Sequence, residues 1–335
     1  MKKILALFIC VVLTVGCLCA CDFGKADPSK DGKLKIVTTI FPEYDWVMNI
    51  LGNNPGKAEV TMLLDNGVDL HSYQPTADDI MKISTCDVFI YVGGESDGWV
   101  KNALKDAVNK NMIVINLLDV LGDSVKEEEV VEGMQEEDEH DHDHEDGDEH
   151  DHEEEEKEYD EHVWLSLRNA EKLVSNIAKG IQKADPDNAK TYETNAAAYI
   201  EKLKALDNEY KKAVEAASVK TLLFGDRFPF RYMTDDYGLT YYAAFVGCSA
   251  ESEASFETIT FLSGKTDELN LNAVIAIEGK DHRIADTIVQ NTKNKNQRIL
   301  LLDSMQSTTS KDVKNGTTYL SVMEKNLSVL KEALK

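Results

Sequence analysis

Histidine is the scarce, chemically informative residue here: the chain of 335 residues has eight. Five of them, His140, His142, His144, His150 and His152, alternate with Asp and Glu inside residues 127–158. Neutral imidazole is the commonest metal ligand, and many weak, proton-sensitive ligands in a negative field concentrate cations. That stretch reads as a metal-collecting or sensing loop. The other three stand apart: His71 in LLDNGVDLHSYQPTADDI, His162 in DEHVWLSLRNA and His282 in GKDHRIAD. His71 follows a strand-like run and a Gly-containing turn, and His162 sits just before a helical pattern. Both are loop positions beside sheet ends, where open α/β sheets place ligands. An isolated loop histidine is ordinarily just solvated. Two of three in equivalent settings point instead to one shared ion. His282, between Lys280 and Arg283, reads as a solvated turn. There is no HExxH, GxSxG or Walker motif to support a hydrolase or nucleotide enzyme, so no catalytic residues are expected.

The elements that must position these residues alternate. Residues 34–40, 59–64, 87–92 and 112–118 are β-branched or apolar runs, with helical patterns at 44–51, 76–84 and 98–109 between them. The second half repeats the scheme. Strands are expected at 221–224, 240–245, 273–277 and 299–302, and helices at 228–235, 256–269, 283–292 and 317–334. Strands separated by helices imply parallel sheets covered on both faces. Two helical stretches lie between the halves, 167–183 and 189–216. In the second, Tyr192, Ala196, Tyr199, Leu203, Leu206 and Tyr210 recur at three- and four-residue steps. The expected fold is α/β: two Rossmann-like lobes with parallel sheets joined by one long rigid helix. The expected segments are 1–20, a leader; 21–32, a tether; 33–186, the first lobe; 187–217, the linker helix; and 218–335, the second lobe.

Charge separates the body from the insertion. The formal net charge is -25. Between positions 127 and 161 there are 22 acidic residues and a single lysine, Lys157, so the remainder is close to neutral. Such a balance excludes nucleic acid as a partner. Residues 127–158, nearly without aromatics, are expected to be disordered. At the start, Lys2 and Lys3 precede an apolar run too short to span a bilayer comfortably, which reads as an export signal. Leu18-Cys19-Ala20-Cys21 resembles the lipobox of bacterial lipoproteins. On that resemblance Cys21 becomes the lipidated first residue of the mature chain, with Cys17 the weaker alternative. Cys86 and Cys248 lie far apart in the body and read as small buried apolar side chains rather than a bridge.

The segments IVTTIFPEYDWVMNIL, LLDNGVDLHSYQPTADDI, DVFIYVGGESDGWV, DEHVWLSLRNA and TYLSVMEKNLSVLKEAL, with the long central helix, span nearly the whole mature chain. In that order they resemble the cluster A-I substrate-binding proteins of ABC importers for zinc and manganese, the ZnuA/AdcA type. The resemblance implies an extracytoplasmic carrier that holds a divalent metal between its lobes and delivers it to an importer permease. It also implies a protein held at the outer face of the membrane by its lipid anchor. A monomer is expected. The family's first two histidine ligands map to His71 and His162. Its third ligand falls in LLFGDRFPFRYMTDDYGL, which has no histidine, and Asp226 is the best substitute. Its fourth is an aspartate ending a late strand, here Asp303 in ILLLDSMQS, with Glu251, Glu253 and Glu278 in reserve. Two imidazoles and two carboxylates suit tetrahedral Zn2+; Mn2+ or Fe2+ would also accept them. The affinity order and the histidine-rich loop favour zinc. Some relatives were first described as adhesins, but the sequence carries no repeat array or adhesive module.

Overall fold

The structure, a computed structural model, describes residues 32–52, 58–135, 158–249, 253–279 and 281–335. Cys21, the five loop histidines His140, His142, His144, His150 and His152, and Glu251 lie outside these residues. No described helix is long and apolar enough to cross a membrane.

Strand β1 (Leu34–Thr38) pairs in parallel with β2 (Ala58–Met62) on one side and β3 (Val88–Tyr91) on the other, and β4 (Ile113–Asn116) flanks β3. The order β2-β1-β3-β4 recurs in the second lobe as β6-β5-β7-β8, again all parallel. Its strands are β5 (Thr221–Phe228), β6 (Thr240–Val246), β7 (Ala273–Ile277) and β8 (Arg298–Leu302). Strands β3 and β7 can be apolar because helices cover both faces: Val88, Phe89 and Ile90 are buried, as is every residue of β7. The exposed Val114 and Leu301 lie on the outer strands β4 and β8.

Helix α1 (Phe41–Leu51) follows β1 directly. It carries Pro42 in its first turn, and Glu43 folds back so that one carboxylate oxygen accepts from Thr39 N (2.8 Å) and Ile40 N (3.3 Å). Helices α2 (Ala77–Thr85), α3 (Val100–Lys105) and α4 (Leu117–Leu121) complete the first half. Ser166 caps α5 (Leu167–Ala184) by accepting from Asn169 N. The next helix, α6 (Ala189–Ala216), has 28 residues and is about 42 Å long at helical rise. Its buried stripe is the one the spacing predicts, extended by Val214. At one end Asn195 donates to Ile50 O and Tyr199 to Asp45. Toward the other, the Tyr210 hydroxyl donates to Met323 O at 2.6 Å. The rod is therefore fixed to both halves. The second half has helices α7 (Arg231–Tyr237), α8 (Phe256–Glu268), α9 (Arg283–Asn291), α10 (Ser310–Lys314) and α11 (Tyr319–Ala333).

The halves do not form separate cores. One apolar core runs from the first sheet through Trp46, Trp164, Tyr210 and Tyr319 to Phe224 in the second. A smaller one, around Leu223, Ala244, Val274 and Ile288, also lies in the second lobe. At the junction the Trp164 indole donates to Ser304 O (2.9 Å), the Tyr319 hydroxyl donates to Trp164 O (2.6 Å), and Tyr319 meets Trp46 edge-on.

Two expectations change. The strand expected at 221–224 continues to Phe228 with a shift of register between Phe224 and Arg227, so Asp226 lies within the strand rather than beyond it. The stretch 127–158 is not uniformly structureless. Glu127 bridges Tyr159, Gln135 N donates to Ala244 O, and Met134 is buried in the main core. Apolar Val131 and Met134 give residues 127–135 something to bury, which the acidic composition masks.

Tyr319→Phe removes the hydroxyl that satisfies Trp164 O and leaves that carbonyl buried and unpaired. The variant should unfold at lower denaturant, by about 1–3 kcal/mol. Glu43 offers a second check. Burial, then the charge of Asp97, pushes its carboxyl from 4.5 up to about 8, and its Oε1 has no hydrogen-bond partner. The folded protein keeps a proton that the unfolded chain has shed, so Glu43 lowers stability as pH rises from 4.5 to about 8. In Glu43→Gln, urea titrations across that window should show a smaller fall in stability than in the parent chain.

Candidate metal centre

His71 stands on a single 3-10 turn, Leu70–Ser72, after the carboxyl end of β2. Buried Leu70 anchors the turn, and Asp69 caps it by accepting from His71 N at 3.1 Å. The ring's Nδ1 lies 2.8 Å from Ser96 Oγ and 3.7 Å from Glu161 Oε2. Ser96 belongs to the loop after β3, which passes through Gly94 at φ 78°. A Cβ on Gly94 would run into the Glu161 carboxylate, so glycine allows this loop to close on that side chain. Glu161 Oε1 accepts from Ser96 N at 3.0 Å, whereas its buried Oε2 has no hydrogen-bond partner.

His162 is fully buried. It directly precedes the short turn Val163–Leu165 that leads into α5. Its Nδ1 is 3.1 Å from Asp160 Oδ1, which also accepts from His162 N at 2.8 Å. Asp160 is fixed in turn: its N donates to Lys126 O, and its carbonyl accepts from the Tyr232 hydroxyl. The two rings meet with Nε2 atoms 3.2 Å apart. Tetrahedral zinc with Zn–N of about 2.0–2.1 Å needs ligand nitrogens about 3.3–3.4 Å apart. Each outer nitrogen already faces an oxygen that could take its N–H, as metal-bound histidines require.

The second lobe meets this pair with three side chains from the carboxyl ends of its strands. Arg227 pairs with Asp69. Gln306, with its amide turned to satisfy its neighbours, donates to both Asp69 oxygens, and its carbonyl oxygen lies 3.1 Å from His162 Nε2. Cys248 follows β6 through Gly247, where a Cβ would lie 3.0 Å from the His162 ring and 2.9 Å from Phe228 O. The Cys248 backbone N donates to Glu128 Oε1 at 3.1 Å. Among the described residues, His71, His162 and Cys248 form the cluster of ligand atoms within 4.8 Å of one another that could hold a metal. His71, Ser96, Glu128, Glu161 and Cys248 share the lining of a cavity of about 270 Å³.

Burial, then the neighbouring His162, holds His71 down to about 3, so it is neutral and free to coordinate. Burial, reinforced by Glu128, Asp160 and Glu161, pushes the Cys248 thiol up.

Asp226 and Asp303 are not brought to the imidazoles. Asp226 accepts from Ile277 N (3.1 Å) and Arg227 N (2.9 Å), within a second-lobe cavity that also contains Glu278 and His282. Extension of β5 to Phe228 leaves its carboxylate facing β7. Asp303 accepts from Met305 N, and burial and Glu278 raise its carboxyl to about 6. Glu278 is taken up by Ser304 and Gln306 N. His282, read as solvated, is half-buried beside Asp226, with Nδ1 unpartnered. Cys248, read as an apolar filler, is the residue the sequence reading missed. Its position just past a strand end, behind a glycine, matches the setting that singled out His71.

Comparison with known proteins agrees with this architecture. Residues 36–333 match the family model for the periplasmic zinc-uptake complex component A, ZnuA. The chain belongs to that family. It is 32% identical to the high-affinity zinc uptake system protein ZnuA of Bacillus subtilis, over 99% of this chain and 98% of that one. It is 34% identical to the zinc-binding lipoprotein AdcA of Streptococcus pneumoniae, over 99% of this chain but 61% of that one. Thus it spans about three-fifths of the AdcA length. Its fold is similar to the Zn(II)-bound ZnuA-like domain of S. pneumoniae AdcA (TM-score 0.68, 30% identity, covering 90% of this chain and 99% of that one). It is also similar to the metal-dependent lipoprotein YcdH of B. subtilis (TM-score 0.70, 27% identity, covering 90% and 99%).

Asp160 touches no candidate ion itself and holds His162 in place. Asp160→Ala should weaken zinc binding about 10–100-fold in a chelator competition titration, as loss of such a partner does elsewhere.

Proposed function

We propose that this chain captures Zn2+ between its lobes and passes it to the permease of an ABC importer, as an extracytoplasmic carrier and not a catalyst. The observation that carries this reading is the pair of oriented imidazoles, His71 Nε2 and His162 Nε2, at 3.2 Å. Relatives described as a zinc-binding lipoprotein and a zinc uptake component support zinc as the cargo. Among the described residues the cluster holds imidazole donors and no carboxylate, which favours zinc over manganese, since manganese prefers harder oxygen ligands. An ion at this point would bond to the first lobe through both rings and draw on the second for the rest of its shell. It would therefore favour the closed arrangement.

Cys21 carries the lipid that holds the protein at the outer face of the cell membrane. Single-chain anchors hold weakly; a diacylated cysteine holds better. The histidines at 140, 142, 144, 150 and 152 act as an accessory collector. They raise the local metal concentration and leave tight binding to His71 and His162.

The division of labour is tested by titrating zinc against a competing chelator. The double variant His71→Ala/His162→Ala should lose the single tight site, whereas deletion of residues 136–157 should keep it and lose only weak binding. Full affinity in the double variant would overturn the assignment.

A further inference from the structure

We infer that Cys248 is the second lobe's ligand to the captured ion, giving a site of two imidazoles and one thiolate. The inference rests on the metal-capture reading above and adds a donor that His71 and His162 alone do not supply. Its basis is geometric. The Cys248 sulfur and the two ring nitrogens lie within 4.8 Å of one another among the described residues. Neither Asp226 nor Asp303 joins that group. The approach is built into the backbone: Gly247 lets the turn after β6 come against the His162 ring and Phe228 O, where a side chain would have to displace them. Glu128, in the first lobe, then accepts from Cys248 N and fixes the turn across the interface. Cys86, the other described cysteine, is fully buried and far from any such partner set, its thiol donating to Ile83 O. Both cysteines are free.

The chemistry is balanced without another reactant. The ion takes a sulfur lone pair, the S–H bond breaks, and the proton leaves to solvent or to a neighbouring carboxylate. A thiolate also bears on cargo choice. Zinc is borderline-soft and accepts thiolate with imidazole, whereas manganese favours carboxylate and water. Cys248 would therefore discriminate zinc from harder divalent ions in a place where the sequence reading looked for a carboxylate.

The test uses the full chain with Co2+ as a spectroscopic probe and Zn2+ and Mn2+ in competition titrations. Bound Co2+ should give an intense thiolate-to-metal absorption in the near ultraviolet that is absent from Cys248→Ser and unchanged in Cys86→Ser. Losing a direct ligand should cost no less than losing an outer partner, so Cys248→Ser should weaken zinc by at least about tenfold and manganese much less. The wild-type cobalt spectrum does not depend on the folding of any variant. If wild-type protein binds Co2+ tightly through His71 and His162 yet lacks the sulfur band, the thiolate assignment fails and metal capture stands. If tight binding survives His71→Ala/His162→Ala, the capture reading falls and this inference with it.

Discussion

Two imidazole nitrogens held 3.2 Å apart, one of them on a fully buried ring, constrain everything around them. Two protonated rings could not share that space, and burial with His162 alongside accounts for the neutrality of His71. The outer nitrogens then need fixed oxygens, or the rings would turn away. Asp160 serves His162, and Ser96, with Glu161 behind it, serves His71. Those oxygens come from different parts of the first lobe, and glycine is needed where the loop after β3 folds onto Glu161. The pair is thus less a local motif than the meeting point of three chain segments.

The second lobe completes this arrangement from the same end of an identically ordered sheet. In both lobes the polar residues come from loops or strand ends at the carboxyl edges, where parallel strands leave a crevice. What brings the edges together is the apolar junction of Trp164, Tyr319 and Trp46, with the long helix bonded to both halves. Site and scaffold are continuous: Trp164 is two residues from His162, and its indole nitrogen bonds Ser304, two residues from Gln306.

Much of this was legible in the sequence. Apolar runs separated by helical periods gave both sheets, and the tyrosine and leucine stripe located the linker helix to its end residues. His71 and His162 stood out through rarity and placement. The second lobe's contribution was not legible for a physical reason. A bulge in β5 lengthened the strand past the expected end, turned Asp226 toward Ile277 and sent Arg227 across to Asp69. One residue of register exchanges which side chain faces the cleft, and no pattern of apolar letters records a bulge. Cys248 escaped notice because a lone cysteine looks like core until its neighbours are known. Residues 127–135 escaped because charge density outweighed Val131 and Met134.

The pairing of Arg227 with Asp69 ties the second lobe to the turn that carries His71. This clasp spans the lobes with protein charges alone, and Gln306 reinforces it on the same carboxylate. The same carboxylate caps the turn that carries His71, so a change in how the lobes meet at Arg227 would be felt at the first imidazole.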